Sequence, residues 1–340
     1  MNKVYAVLVI FMSILFAKND LLGQDIHYSQ FYNSPLNINP ALTGIFNGDV
    51  RIIGSVRDQW RQVEVPYTTF SANYDMKIYP KKNRDKNFFG FGAIFNYDRA
   101  GASSMNITDL NITGSYSYLL NKNNVLTAGL LLGFATEGYD SDGLSWDNYW
   151  DGTIADISRG SGENFANNRF SYLETGVGVN YRYQKSARTN LNLGIGAWHL
   201  LTPTASYDGI NTTELPIRLA FNFEGTFKIA NPLDIQLHAN YNLQDEYDEI
   251  LTGGLLRIHI NQKPGSQYAL DLGATWRYSG ALIPKLAIHY NQWYIGASYD
   301  FNFDPFYTDF NIRQGGPEVH VRYIITNVKP LSQKKACPIY

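Results

Sequence analysis

From Ile217 to Lys228 the chain alternates: the odd positions Ile217, Leu219, Phe221, Phe223 and Phe227 are apolar, and the even positions carry Arg218, Asn222, Glu224, Thr226 and Lys228. Successive side chains of an extended strand point to opposite faces, so this stretch has one apolar wall and one polar wall. Asp234–Gln244 repeats the rhythm, with Ile235, Leu237, Ala239, Tyr241 and Leu243 opposite Asp234, Gln236, His238, Asn240, Asn242 and Gln244. The pattern predicts about fourteen strands. They run over Val50–Asp58, Thr68–Lys77, Phe88–Asp98, Ile107–Leu120, Val125–Gly138, Phe170–Tyr183, Asn190–Leu200, Ile217–Lys228, Asp234–Gln244, Ile250–Asn261, Tyr268–Tyr278, Lys285–Asn291, Trp293–Phe303 and Glu318–Thr326. Most are of the length that crosses a bilayer at a tilt, about 9–11 residues. The fold class expected is an all-β transmembrane outer-membrane β-barrel with antiparallel strands spanning residues 50–326.

The connections support this reading. With the first strand running outward, short turns such as 121–124, 184–189 and 230–232 fall on the inner edge and carry Lys122, Lys185 and Arg188. Longer connections such as 139–169 and 202–215 fall outside and carry Asp140, Asp147, Asp151, Asp208 and Glu214. Barrels of the outer membrane sort their loops by length in this way.

Met1, Asn2 and Lys3 followed by apolar Val4–Ala17 have the size of a signal peptide, too short for a spanning helix. Residues 1–24 are therefore read as an export signal, with cleavage near Gly23 or Gln24. Residues 25–49 lack alternation and are expected to form a periplasmic lead-in or a plug in the barrel mouth. Residues 327–340 are expected to be a periplasmic C-terminal tail.

Of the 340 residues 15% are aromatic and only 17% charged, a balance that suits aromatic girdles at the two membrane interfaces. A net charge of −2 argues against nucleic acid as a partner. The one cysteine, Cys337, excludes a disulfide within the chain. The six histidines are dispersed without ligand spacing, and neither a His-Glu-x-x-His nor a Gly-x-Ser-x-Gly motif occurs. No catalytic residue, cofactor or metal site is expected. Asp140, Asp142, Asp147 and Asp151 offer oxygen ligands for calcium, but their spacing fails the twelve-residue loop rule.

Two groups of residues remain as candidates. Glu174, Arg182, Arg218, Glu224, Asp271, Arg277, Glu318 and Arg322 fall on the polar faces and are expected to form a lumen network of mixed sign. Trp146, Tyr149, Trp150 and Phe165 lie in the longest outer loop and offer aromatic anchors of the sort enriched at protein interfaces. A porin-like passive diffusion channel is the competing reading of the same barrel.

The stretch Gln24-Asp25-Ile26-His27-Tyr28-Ser29-Gln30-Phe31-Tyr32, then Asn39-Pro40-Ala41-Leu42-Thr43-Gly44, then Arg57-Asp58-Gln59-Trp60, resembles the opening of the PorP/SprF family of the Bacteroidetes type IX secretion system and gliding machinery. The ending Ala336-Cys337-Pro338-Ile339-Tyr340 is similar to the finish of some members. The resemblance implies a non-enzymatic barrel of the outer membrane that helps a large secreted adhesin, or another type IX substrate, reach or stay on the cell surface. It also implies contacts with periplasmic secretion or motility components, for which Cys337 and Pro338 become candidates. Pro40 biases Asn39 toward extended geometry and Gly44 permits a left-handed turn, so the opening motif is expected to be a rigid folded segment.

Overall fold

The computed structural model describes residues 25–59, 67–80, 87–101, 103–140, 146–154, 156–162, 168–205, 213–303 and 314–326. The strands are β1 (Val50–Gln59), β2 (Tyr67–Ile78), β3 (Asn87–Ala100), β4 (Met105–Leu119), β5 (Asn124–Gly138), β6 (Arg169–Ser186) and β7 (Thr189–Trp198). A two-residue pair, β8 (Thr204–Ala205) and β9 (Thr213–Glu214), follows. Then come β10 (Arg218–Ala230), β11 (Leu233–Gln244), β12 (Tyr247–Asn261), β13 (Tyr268–Arg277), β14 (Ala281–Tyr290), β15 (Trp293–Asn302) and β16 (Gln314–Ile325). All but β8 and β9 join in one closed barrel of fourteen strands, in which each pairs with its chain neighbour and β1 closes on β16. The antiparallel closing seam runs from Val50↔Ile325 to Arg57↔Glu318.

The wall is inside out relative to a soluble protein. Along β4, Asp109, Asn111, Thr113, Ser115 and Ser117 are buried, while Leu110, Ile112, Tyr116 and Tyr118 are exposed. Leu130 is 66% exposed and Phe134 56%, whereas Ser117 and Asn180 are fully buried. Such a surface is stable only where hydrocarbon covers it, because apolar area left in water forfeits about 25 cal/mol per Å². The molecule is an outer-membrane barrel.

Two strands begin four residues earlier than the alternation predicts. β14 starts at Ala281 and not Lys285, and it tolerates Pro284, which lacks an N–H, on its exposed side. The ladder to β15 skips Ile283 and Pro284, running from Leu282↔Phe301 to Lys285↔Ser298 in unchanged register. β16 starts at Gln314 and not Glu318, its first residues pairing only with β15.

The strand ends define two rims. β5 ends and β6 begins at the long-loop rim, as do β7 and β10, and residues 187–188, 231–232 and 291–292 cross the short-turn rim. The chain also enters β1 and leaves β16 at the short-turn rim.

Residues 25–49 run through the lumen from one rim to the other. Asp25 meets His199 and Arg218 at the long-loop end of the wall, and Asn47 meets Gln184 and Arg182 at the short-turn end. Between them lie three 3-10 turns, Phe31–Asn33, Pro35–Asn37 and Pro40–Leu42. These turns let a segment without a strand partner satisfy its own backbone, as in Asn33 N–H to Gln30 O at 2.8 Å and Leu42 N–H to Asn39 O at 2.9 Å. Asn39 is extended (φ −158°, ψ 118°) and its side chain accepts from the Ala41 N–H, while Gly44 takes φ +77°. The Pro40 and Gly44 chemistry thus acts as expected.

Phe31, Leu36 and Ile38 of this plug pack against Ile94, Leu131, Trp198, Leu251 and Ile283 of the wall. These inward apolar residues interrupt the polar face only where the plug covers them. The run Leu130-Leu131-Leu132 breaks alternation for this reason. Close approach is possible because Gly129 has no side chain; a Cβ there would collide with the Pro40–Ala41 backbone.

Candidate functional site

The upper half of the plug is held by buried charges of the wall. Glu318 accepts from the backbone N–H groups of Ser29 (2.7 Å) and Gln30 (2.6 Å), and His320 stands 2.8 Å from the same carboxylate. Arg57 pairs with Asp300 at 2.9 Å and donates to His27 O at 2.7 Å. Arg277 bridges Glu249 (2.9 Å) and Asp300 (3.0 Å) and donates to Ser29 Oγ. Lys285 donates to Ser29 O at 2.7 Å and lies over the Tyr32 ring. Charge-assisted bonds of this kind are stronger than neutral ones, and burial keeps salt from screening them.

The lower half is tied by neutral bonds and one bidentate pair. Asn39 donates to Asn222 Oδ1 and Val179 O, both at 3.1 Å, and Thr43 Oγ1 meets Thr113 Oγ1 at 2.9 Å. Asp75 receives the Gly44 N–H at 2.8 Å and binds Arg51 through two bonds of 2.8 Å.

The eight charges singled out by pattern lie on the lumen side, and most make their closest contacts with groups outside the eight. Glu174 meets His199, Arg218 meets Asp25, Asp271 meets Arg257 and His289, Arg277 meets Glu249 and Asp300, and Glu318 meets Arg57 and His320. Arg182 is bonded to Asn192 and Gln184, and Arg322 lies over the Tyr294 ring. Glu224 is half-buried on the same wall. Pattern reading passed over Arg57, Glu249, Asp300 and Lys285, although all four stand on inward positions of their strands. Plug residues Asp25, His27, Ser29 and Gln30 lacked any periodic signal.

At the long-loop rim His199 sits between Asp25 (2.6 Å) and Glu174 (2.8 Å) in a left-handed turn, φ +57°. Burial opposes its charge, but the two carboxylates outweigh this and hold its pKa up at about 9. The imidazolium thus contributes stability fully below its unfolded pKa of about 6.5, and this is lost as pH rises through about 9. The temperature at which the folded band disappears in semi-native electrophoresis is expected to fall between pH 7 and 10. His199→Gln should flatten that dependence; an unchanged slope would contradict the charged bridge from Asp25 to Glu174.

Within the longest outer connection the described residues form a knuckle. Turns Asp147–Tyr149 and Ile157–Arg159 are joined by Asp156 N–H to Tyr149 O at 2.7 Å and Asn148 Nδ2 to Gly160 O at 3.1 Å. Trp146 and Tyr149 are half-buried, and Trp150 is exposed. Ile154 and Ile157, which the sequence reading did not select, are 62% and 74% exposed. Phe165, Cys337 and Pro338 lie outside the described residues, as does the signal segment.

Residues 21–313 match the family model described as type IX secretion system membrane protein PorP/SprF. No curated protein matches the chain. Among solved structures the chain is similar to CymD, a monoaromatic hydrocarbon channel, at 11% identity and a TM-score of 0.48, over 87% of this chain and 93% of that one. A FadL homologue of Pseudomonas aeruginosa gives 11% identity and a TM-score of 0.48, over 84% and 92%. BamA of Haemophilus ducreyi lacking POTRA domains 1-3 gives 9% and 0.44, over 82% and 70%. At such identities the likeness concerns the fold alone.

Proposed function

Because the chain belongs to the PorP/SprF family of type IX secretion system membrane proteins, we propose that it is a non-enzymatic, plugged outer-membrane barrel that supports secretion or surface anchoring of a type IX substrate, a large gliding-type adhesin, through protein contacts. The observation that carries this reading is the filled lumen. A diffusion channel needs a continuous water path, and here residues 28–46 pack across the interior with their backbone bonded to wall carboxylates and hydroxyls. What is left for work is the pair of rims, where loops and turns meet other proteins.

On the long-loop rim the knuckle presents Trp150, Ile154 and Ile157 on a frame held by its own hydrogen bonds. Exposed aromatic and aliphatic side chains on a preorganised loop suit a partner anchor, since little entropy is lost on binding. Periplasmic secretion or motility components would meet the opposite rim.

Replacing Trp150, Ile154 and Ile157 together by Ala is expected to remove the cognate adhesin from the cell surface, because anchors of this kind are each worth about 2 kcal/mol or more. The barrel itself should persist, as these side chains lie outside its wall. Immunolabelling of intact cells, with electrophoretic heat-modifiability of the barrel as control, reads both. Full adhesin display by cells lacking the whole gene would sink the secretion reading.

A further inference from the structure

We infer that the short-turn rim holds a preformed cationic vestibule that binds an acidic peptide segment of a protein partner on the periplasmic side. It rests on the reading of the barrel as a protein-assembly component and adds a site to it. Two hollows of about 400 and 550 Å³ open there, and they adjoin, sharing Tyr79, Phe88, Val125, Gln184 and Ala187 as walls. The charged groups lining them are Lys77, Lys122, Arg182 and Lys185 against Asp49. The balance is clearly positive in a chain whose net charge is −2.

The floor is built by the plug as it leaves the lumen. Lys77 donates to Phe46 O and lies 5.0 Å from the Phe46 ring and 5.5 Å from that of Phe88. Arg182 and Gln184 both bond Asn47. These cations are therefore held in place before anything binds, while Lys122 and Lys185 reach into solvent at the mouth. The neighbouring turns are fixed too: Arg188 clips Asp234 at 2.6 Å, Ala230 O at 3.0 Å, Asn231 O at 2.8 Å and Gln262 at 3.3 Å. A rigid rim loses little freedom when a partner docks.

The ligand class follows from the lining. Aromatic and aliphatic walls between fixed cations accept a chain that offers carboxylates and short apolar stems in alternation. Volumes of this size hold several side chains, more than one inorganic anion requires. Lys77, Phe88 and Arg182 stand on the lumen side of β2, β3 and β6, away from the apolar face that meets lipid. A peptide from the aqueous side thus fits better than a lipid headgroup. The side is periplasmic because short turns and both barrel ends lie there.

Full-length protein in detergent micelles, titrated into a fluorescein-labelled octapeptide of alternating glutamate and alanine, tests this by anisotropy. The acidic peptide should bind, weaken as salt rises, and lose at least about tenfold in affinity with Lys122→Glu plus Lys185→Glu. The lysine-alanine counterpart should not bind, and Arg99→Glu on the opposite rim should change nothing. Equal binding of both peptides, no difference in the double variant, or retention of anionic lipid without peptide binding would each overturn the inference. Adhesin display is read separately: peptide binding without any role in display would defeat the secretion reading and leave the vestibule standing, and display without peptide binding would do the reverse.

Discussion

Deleting residues 26–46 opens the barrel to ions: in planar bilayers the shortened protein should conduct at least about tenfold more than the intact one, which should pass little current. The expectation follows from where those residues are. Tyr28, Phe31, Leu36, Ala41 and Leu42 are all nearly inaccessible inside the ring of fourteen strands, and a barrel of this size encloses more space than its own wall side chains fill. The ladder joins wall strands to wall strands only, so the fourteen strands are expected to keep their pairing, with the inward charges solvated once the plug is gone. Gly129→Val gives a second route to the same state. Its side chain would strike the Pro40–Ala41 backbone, which cannot yield without losing the Asn39 bonds to Asn222 and Val179. Electrophoretic heat-modifiability shows whether each variant still forms a barrel. A folded deletion variant that conducts no more than the parent would refute the plug, and a parent with steady ohmic current would restore the porin reading.

Glu318→Leu should destabilise the protein by about 3–5 kcal/mol, the cost of removing one member of a buried charge cluster and leaving its buried donors unpaired. Glu318 is fully buried and meets four groups at once: the N–H groups of Ser29 and Gln30, the guanidinium of Arg57 and the ring of His320. Leucine satisfies none of them. Glu318→Gln keeps the volume and an acceptor oxygen, so it should lose less. Urea unfolding from lipid vesicles, followed by tryptophan fluorescence, measures both. Equal midpoints for Leu, Gln and the parent would show that the wall carboxylate does not hold the plug.

Strand positions were legible because alternation is a local property, and it survives wherever lipid faces one side and polar groups the other. It blurred at Leu130-Leu131-Leu132, at Ile283-Pro284 and at the start of β16. In the first two cases an inward apolar residue meets the plug, and in the third two glycines and a proline carry no hydrophobic mark. The candidate lumen charges stand on inward positions of their strands, but the pattern does not say which group each one meets. Asp271 and Arg277 look like members of one mixed network in sequence, yet Asp271 binds Arg257 and His289 while Arg277 binds Glu249 and Asp300. In the outer loop Trp150 was visible by its type. Ile154 and Ile157 were not, because an isoleucine in a loop signals nothing until its exposure is known.

By itself the sequence determined a wall: alternating residues, loops sorted by length and charge, and an opening motif whose Pro40 and Gly44 dictate local geometry. Only the tertiary structure decided that residues 25–49 run through the lumen, with Asp25 at the long-loop rim and Asn47 at the other, and which wall groups receive them. The reason is distance along the chain. Ser29 and Glu318 are 289 positions apart, and no periodicity links two such groups; they meet only because β1 closes on β16 around a segment that has no strand of its own to pair with.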